Sequence, residues 1–388
     1  MRMWLYYGAL LMAICPASGT GALAAAEPPG IPGLGLPTKE QPKGEEGKMR
    51  FSAADQKQAV AWQEEARTKV RELLKISDLV HADLDGTNGK PRLDFKIEIQ
   101  KTTKDKDGRF TRYDLEMNST LTRRIPVVLT VPAGAGRFPA VVCIHGHGGS
   151  RNIVYDPASI YRGFALELAN RGYVTIATEV GQHTVYEKDR TLVGERLWDL
   201  MRCVSYLTTR PEVDAENIGC AGLSLGGEMA MHLGAADTRV KATVDYGGLT
   251  TVATLIMYTS AIGVETCWRF PGYVENFDTP DFFCMIAPRW VMSQNGEKEY
   301  LDCPAFLPAV ARPAFEKAVL PCYRLFGCEE RAVLRIHPDR HIFETSSAIP
   351  FLDKALRPPT EGEHAGRTGA APSPHYQKDG SGILTGGD

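Results

Sequence analysis

The sequence predicts an α/β protein with a mostly parallel central sheet, helices on both of its faces, and an antiparallel meander before it. Two patterns predict this fold class. Apolar runs of strand length alternate with helical stretches through residues 140–245, and such alternation is typical of a parallel sheet covered on both faces. Before it, apolar and polar residues alternate within residues 93–131, as in antiparallel strands.

The composition of the chain excludes some classes of partner. The 388 residues are 43% hydrophobic and 23% charged, which is enough apolar content for one large domain with extensions. Lysine and arginine number 44 against 47 aspartates and glutamates, so the net charge is -3 and no basic stripe indicates nucleic-acid binding. We therefore expect a small, near-neutral molecule as the partner.

Residues 1–26 have the three-part layout of a secretory signal. Arg2 precedes an apolar stretch that runs from Met3 to Cys15, and small residues follow up to Ala26. The apolar stretch is shorter than the ~20 residues that a spanning helix needs, which disfavours an uncleaved membrane anchor. The pattern predicts cleavage near Ala26, a secreted or periplasmic protein, and no stable membrane insertion after the signal is removed.

Three further segments lie outside the main domain. Proline and glycine recur through residues 27–50 without an apolar period, which predicts a disordered linker. Apolar residues at helical spacing predict a helical extension over residues 51–90, with Ser52 placed to cap the helix. Residues 357–388 are rich in proline, glycine, serine and threonine, which predicts a disordered tail.

The main domain spans residues 91–356 and contains the alternating elements. After the meander, its predicted strands are 140–144, 174–178, 218–221, 240–245, 290–293 and 332–336. Its predicted helices are 165–170, 197–208, 228–234, 304–317 and a closing helix over 348–356.

The run Gly-Leu-Ser-Leu-Gly-Gly at residues 222–227 carries the strongest catalytic signal. It follows a predicted strand and precedes a predicted helix, which is the context of a nucleophile elbow. Glycines are needed there because larger side chains would clash across so tight a turn. The serine hydroxyl is lifted above the strand ends, with a helix N-terminus beneath it. We predict that Ser224 is the nucleophile, the alternative being an ordinary strand-to-helix turn.

A second glycine-rich turn, residues 145–149, directly follows a predicted strand. Such a turn can direct a backbone N–H at the carbonyl oxygen of a bound ester. The predicted oxyanion hole comprises the N–H of Leu225 and that of His147 or Gly148. His145 and His147 also allow a metal site, but no third and fourth ligand stand at suitable spacing. We expect no metal and no cofactor.

The general base should come late in the chain if the order is serine, acid, histidine. His341 follows the predicted strand 332–336 across a short polar turn. His337 is the competitor, but it lies at the strand end before Pro338, where a structural role is favoured. Topology therefore selects His341.

The acid is expected in the loop after the predicted strand 290–293, where Glu297, Glu299 and Asp302 offer carboxylates. Either aspartate or glutamate can orient an imidazole and stabilise the imidazolium. Glu299 is the first choice, Asp302 the alternative and Glu297 the third. Most carboxylates in surface loops are only solvated, so the sequence leaves the choice open.

The cysteines fall into two groups. Cys143 and Cys220 stand within predicted strands, where a free thiol behaves as a small buried hydrophobe. Several later cysteines could form disulfides in an oxidising compartment, with no pairing indicated by the sequence. These are Cys267, Cys284, Cys303, Cys322 and Cys328.

These motifs resemble those of bacterial α/β-hydrolase esterases of the acetyl xylan esterase and dienelactone hydrolase-like group. The resemblance covers about residues 93–356 and is most specific at the elbow and the helix before it. Besides the elbow and the glycine turn, it rests on Glu195, Arg196, Trp198, Asp199, Arg202, and residues 209–214, 218–219 and 286–289.

The resemblance implies the α/β-hydrolase fold, Ser224 as nucleophile, His341 as base and a carboxylate at Glu299. It also implies that Leu225 and His147 supply the oxyanion donors. Two positions depart from the group. An aspartate usually stands where this chain has Glu299, and a glycine usually precedes the histidine where this chain has arginine.

The sequence thus predicts a serine esterase that cleaves carboxylic esters through an acyl-enzyme. Export and the resemblance favour acetyl or similar esters on carbohydrate, with specificity set within residues 250–283. Two alternatives stay open, namely a serine peptidase of the same fold and a non-catalytic hydrolase-like binding protein.

Overall fold

The computed structural model describes residues 47–84, 91–256, 265–299 and 306–357, and the backbone of residues 377–378 and 383–385. The predicted signal peptide, most of the predicted linker and Asp302 lie outside the described residues. All of the described residues belong to one unit, Gly44–Asp388.

Eleven strands form a single sheet in the described part of the chain. They are β1 Glu98–Lys104, β2 Phe110–Asn118, β3 Arg124–Pro132, β4 Phe138–Ile144, β5 Val174–Thr178, β6 Val213–Leu223, β7 Val240–Tyr246, β8 Trp290–Gly296, β9 Ala332–His337, β10 Gln377–Lys378 and β11 Ile383–Thr385. Their order across the sheet is β1-β2-β3-β5-β4-β6-β7-β8-β9-β11-β10. The strands from β4 to β9 pair in parallel, as predicted. In the region of the predicted meander, β1, β2 and β3 pair antiparallel.

Helices connect most of the parallel strands. They are α1 Gln56–Leu73, α2 Ser77–Asp83, α3 Phe164–Asn170, α4 Leu192–Thr209, α5 Leu225–Ala236, α6 Glu265–Trp268, α7 Tyr273–Asn276, α8 Thr279–Ile286, α9 Pro308–Ala314, α10 Leu320–Leu325 and α11 Thr345–Leu356. A π-helical turn, Phe315–Val319, joins α9 to α10. The predicted helices of the main domain each correspond to one of these segments.

The start of α1 differs from the prediction. Asp55, and not Ser52, is the N-cap, and its carboxylate accepts the backbone N–H of Gln58 at 2.8 Å. A capping side chain must stand directly before the first helical turn to reach those N–H groups. Ser52 is therefore too far along the chain from Gln56 to serve.

Alternate residues of β4 show how the sheet is covered on both faces. Ala140, Val142 and Ile144 belong to a hydrophobic core shared with α1, α4 and α5. Val141 and Cys143 belong to a second core shared with α3 and α11. This alternation follows from the two-residue period of a strand. Because hydrophobic cores cover both faces, we expect polar functional groups at the carboxyl edge of the strands, where ligands bind in open α/β sheets.

The helix α4 is joined by buried ion pairs to the turn between β2 and β3 and to α2. Asp199 accepts two hydrogen bonds from Arg123, at 2.6 and 2.7 Å. One turn further along, Arg202 pairs with Asp83 of α2, and both side chains are buried. Removing one partner of such a buried pair typically costs about 3 to 5 kcal/mol. The charged run that resembles the esterase group thus has a structural role.

The described cysteines are free and buried. Burial of Cys143 and Cys220 is as predicted. The suggested disulfides are not formed among the described later cysteines, and Cys303 lies outside the described residues.

Two short strands lie within the segment that was predicted to be a disordered tail. β11 pairs in parallel with β9, and β10 pairs antiparallel with β11. The backbone groups of these five residues pair at the edge of the sheet beside β9. Disorder of the rest of the tail stays a prediction.

Candidate active site

Ser224 is the single residue between β6 and α5, and its backbone conformation is strained. Its φ is 62° and its ψ is -126°, a region that costs a non-glycine residue roughly 1 to 3 kcal/mol. A Cβ on Gly222 would lie 2.0 Å from the carbonyl oxygen of Gly226, and one on Gly226 would lie 2.4 Å from that of Ile144. The backbones approach this closely only because both residues are glycine, as the elbow pattern predicts.

The turn at Ser224 is hydrogen-bonded to the neighbouring strand and leads directly into a helix. The N–H of Ser224 donates to the carbonyl oxygen of Tyr246 at 3.0 Å, which ties the elbow to the end of β7. Helix α5 begins at Leu225. The first N–H groups of a helix have no partner within it, and they favour negative charge. The N–H of Leu225 is therefore suitably placed to bind an oxyanion that forms at Ser224.

The glycine turn after β4 packs directly against Ser224. A Cβ on Gly146 would lie 3.1 Å from the Cβ of Ser224, so a larger residue would crowd the serine. The N–H of Gly146 donates to the Tyr161 hydroxyl at 2.6 Å, which holds the turn. His147 and Gly148 follow it, and Gly148 has a φ of 66°. The turn that carries the predicted second oxyanion donor thus contacts Ser224 through Gly146.

The two histidines of this turn have different surroundings. The ring of His145 is fully buried, with Nδ1 at 2.8 Å from the Gly146 carbonyl oxygen and Nε2 accepting the N–H of Val180 at 3.1 Å. His147 is half-buried. Burial first, and then the charge of Arg196, lower the pKa of His147 to about 4. The His147 ring is therefore neutral at neutral pH, and His145 is a structural residue.

The structure brings the predicted base and the first-choice acid together. His341 Nδ1 lies 3.1 Å from Glu299 Oε2 and 3.3 Å from Oε1. Glu299 follows β8 and its side chain is fully buried, whereas the His341 side chain keeps 14% of its surface exposed. A buried carboxylate facing Nδ1 fixes the ring orientation and leaves Nε2 to accept a proton.

Tyr246 joins the two parts of the site, and sequence reasoning did not identify it. Its hydroxyl donates to Glu299 and lies 3.0 Å from the Arg340 carbonyl oxygen. Burial first, and then the Glu299 charge, raise the pKa of Tyr246 well above its ordinary value, so the phenol remains a donor. Its ring also packs edge-on against His341, with centroids 5.1 Å apart. The sequence signal that could have identified this residue is its position at the end of β7, the strand that pairs with β6.

The competing residues of the sequence analysis have other surroundings. Glu297 is exposed to solvent. His337 is buried, and its Nδ1 accepts the N–H of Asp339 at 3.3 Å, while burial lowers its pKa. Asp302 lies outside the described residues. Among the described candidates, only Glu299 contacts a histidine that follows β9.

Ser224 and His341 both lie at the carboxyl edge of the sheet, but they are not hydrogen-bonded to each other. In the described part of the chain, Ser224 Oγ forms no hydrogen bond with His341. Catalytic hydrogen bonds are often long in ligand-free enzymes and tighten when substrate binds. Proton transfer between the two residues therefore requires a closer approach of their side chains than the structure shows.

Aromatic side chains form one rim of the site. Phe306 packs against His341 with ring centroids 4.8 Å apart. Trp268 packs against Phe306 at 6.0 Å and against His147 at 5.6 Å. Arg196, fully buried in α4, donates to the carbonyl oxygen of Cys267 at 2.7 Å and holds α6 at this rim. Sequence reasoning missed these contacts, because the residues come from separate loops.

Comparison with known proteins identifies a family domain and several related hydrolases. Residues 125–264 match the dienelactone hydrolase family. YtaP of Bacillus subtilis (strain 168), which is named as a hydrolase, is 26% identical over 245 residues that cover 57% of this chain and 80% of YtaP. The acetyl esterase Axe7A of Xylanibacter ruminicola is 25% identical over 181 residues, which cover 42% of this chain and 40% of Axe7A.

Among solved structures, a glucuronoyl esterase from Solibacter usitatus superposes with a TM-score of 0.56 at 18% identity. The match covers 78% of this chain and 93% of that structure. At this level of identity the similarity shows the fold, which is the α/β-hydrolase fold.

Proposed function

We propose that this chain, which has the α/β-hydrolase fold and a dienelactone hydrolase family domain over residues 125–264, is a serine esterase. One observation supports the proposal most strongly. A serine on a strained elbow stands at the same sheet edge as a histidine whose Nδ1 faces a buried carboxylate. Backbone strain and a buried acid–histidine pair both cost stability. A purely structural turn needs neither, so their presence together supports a functional role.

The proposed reaction is a two-step acyl transfer. Ser224 Oγ attacks the ester carbonyl carbon while its proton passes to Nε2 of His341. Glu299 stabilises the resulting imidazolium through Nδ1. The imidazolium then protonates the departing alcohol, and an acyl-enzyme remains on Ser224. A water molecule, deprotonated by His341, attacks the acyl-enzyme, and the imidazolium returns that proton to Ser224 Oγ as the carboxylic acid departs.

The oxyanion of each tetrahedral intermediate would accept hydrogen bonds from the backbone. The N–H of Leu225 lies at the start of α5 beside Ser224, and the turn that contains His147 and Gly148 contacts Ser224 through Gly146. Donors set by the backbone need no rearrangement when the charge forms, which is why such a hole lowers the barrier.

The substrate that we propose is an acetyl or similar ester on a carbohydrate. The curated relative Axe7A is named as an acetyl esterase and the solved neighbour as a glucuronoyl esterase.

The decisive experiment compares the wild type with Ser224→Ala on an aryl acetate and on acetylated xylo-oligosaccharides. We expect kcat to fall by about 10⁵-fold or more, because the nucleophile is lost. Ser346→Ala, which changes an exposed serine on α11, should retain wild-type rates. Activity that persists in Ser224→Ala would refute the assignment of the nucleophile. A wild type that hydrolyses no ester would favour the binding-protein alternative.

We also propose that the protein is exported. The support is the signal-like sequence of residues 1–26. Within the described residues, the helices are all too short or too polar to cross a membrane. Expression in a bacterial host with N-terminal sequencing of the periplasmic and cytoplasmic fractions tests the proposal. Cleavage near Ala26 is expected, and an intact N-terminus in the cytoplasm would contradict it.

A further inference from the structure

Three side chains with metal-binding atoms converge at the rim of the candidate active site. His147 follows β4, His183 follows β5, and Cys267 lies in α6. One candidate ligand atom from each lies within 4.8 Å of the other two. His183 Nδ1 and Cys267 Sγ are 3.1 Å apart. Residues from three separate segments therefore present two imidazoles and one thiol to a common point.

The contacts within this group leave ligand capacity unused. His147 Nε2 is buried and has no hydrogen-bond partner. The rings of His147 and His183 lie nearly parallel, 12° apart, with centroids separated by 5.6 Å. A buried ring nitrogen without a partner costs stability, so the arrangement calls for a ligand.

From these contacts we propose that His147, His183 and Cys267 form a binding site for a zinc ion, with the fourth position open to solvent or to a ligand. Zn²⁺ prefers nitrogen and sulfur ligands and takes three protein ligands in sites that keep an open position. Oxygen-seeking ions such as Mg²⁺ and Ca²⁺ are disfavoured by the same ligands. The site uses the side chain of His147, whose backbone N–H belongs to the proposed oxyanion hole, but zinc binding does not depend on ester cleavage.

The distances require only a small adjustment. A tetrahedral zinc ion holds nitrogen and sulfur ligands about 3.3 to 3.6 Å apart. The His183–Cys267 distance is already close to that range, and the other separations in the group must shorten by at most about 1.5 Å to reach it. His183 is exposed, so its ring can rotate without disturbing the core.

The positive charge of Arg196 near the site favours binding of zinc through the thiolate of Cys267. Arg196 holds the α6 backbone through the Cys267 carbonyl oxygen, and its positive charge opposes a cation nearby. Zinc is bound by the thiolate, so loss of the Cys267 proton on binding would offset part of that repulsion. Cys267 is buried against the same rim, which keeps the sulfur in position.

The test measures metal content and not esterase activity. The full-length protein is stripped with a chelator and dialysed against Zn²⁺, and bound zinc is counted by elemental analysis. We expect one zinc ion per chain. Cys267→Ser and His183→Asn should each weaken binding by at least about tenfold, since each removes a ligand. Cys328→Ser and His81→Asn, which change a cysteine and a histidine outside the group, should bind like the wild type.

Cobalt supplies a second readout that reports on the thiolate directly. Co²⁺ in the same site should give the near-ultraviolet charge-transfer absorption of a cobalt–thiolate bond, and Cys267→Ser should lack it. Circular dichroism of each variant verifies folding. Failure of the wild type to retain zinc, or zinc binding that is unchanged in both ligand variants, would overturn the proposal. Cobalt binding without the thiolate absorption would also overturn it.

Discussion

The two halves of the candidate active site are held in place in different ways. On the nucleophile half, backbone atoms decide the geometry, since Gly222 and Gly226 let two chain segments approach and Ser224 sits on the turn that results. On the base–acid half, side chains decide it, because His341 is oriented by Glu299 and Glu299 in turn by Tyr246. The only direct link between the halves described above is Tyr246, whose carbonyl oxygen serves one half and whose hydroxyl serves the other.

This difference teaches how each half should respond to mutation. A close backbone approach tolerates no added atom, so a single methyl group in the nucleophile half should reduce stability and rate together. A hydrogen-bonded side-chain relay loses one interaction at a time, so its variants should show graded losses of rate while the fold persists. The predictions below test this contrast.

The largest effect is expected for Glu299→Gln, within the base–acid half. The amide has nearly the shape of the carboxylate but cannot stabilise an imidazolium, so we expect kcat to fall by about 10³-fold with little change in the melting temperature. Steady-state kinetics on an aryl acetate measure it. Glu297→Gln, two residues away and exposed, is the matched control. If Asp302→Asn abolished activity and Glu299→Gln did not, Asp302 would be the acid.

Gly222→Ala probes the nucleophile half. The new Cβ would meet the Gly226 carbonyl oxygen at 2.0 Å, so the elbow must open. We expect a loss of about 1 to 3 kcal/mol of stability and a fall in kcat of about 10²-fold, since small displacements of a nucleophile are costly. Gly108→Ala is the control, because its φ of 69° strains an alanine but no atom lies nearby. It should lose stability and retain kcat, and equal kcat losses in both variants would contradict the backbone argument.

A smaller effect is expected for Tyr246→Phe, at the link between the halves. The variant keeps the ring and the backbone bond to Ser224 but removes the hydroxyl that donates to Glu299. A hydrogen bond to a charged group is worth roughly 1.5 kcal/mol or more, so kcat should fall about tenfold while KM changes little. A change in KM alone would indicate that Tyr246 contacts substrate and does not position Glu299.

Buried His232 should lower the stability of the nucleophile half in acid but not at neutral pH. His232 on α5 is fully buried, and burial lowers its pKa to about 3. Below pH 6.5 the unfolded chain takes up a proton that the folded chain does not, so the free energy of unfolding falls as the pH drops. Between pH 7 and pH 5 this costs about 2 kcal/mol.

Urea unfolding of His232→Gln at both pH values measures this term. The variant should lose about 2 kcal/mol less than the wild type over that interval. His81→Gln, an exposed histidine on α2, should show the wild-type slope. A wild-type slope in His232→Gln would show that other groups dominate acid unfolding.

What the sequence determined by itself is local or periodic. The elbow is specified by six consecutive residues, so strand, turn and helix could be read together around Ser224. The alternation of strands and helices likewise predicted the parallel sheet, because each pattern is confined to a few neighbouring residues. The start of α1 was missed by three positions, since serine and aspartate cap equally well and only the path of the chain distinguishes Ser52 from Asp55.

What only the tertiary structure decided are the contacts between distant loops. Three carboxylates were available for the acid, and the fold places Glu299 against His341, 42 positions away. The same holds for Tyr246, whose hydroxyl reaches Glu299 across 53 positions, and for Cys267, which meets His183 across 84. No local pattern encodes such pairs, because their geometry depends on how neighbouring strands end at one edge of the sheet.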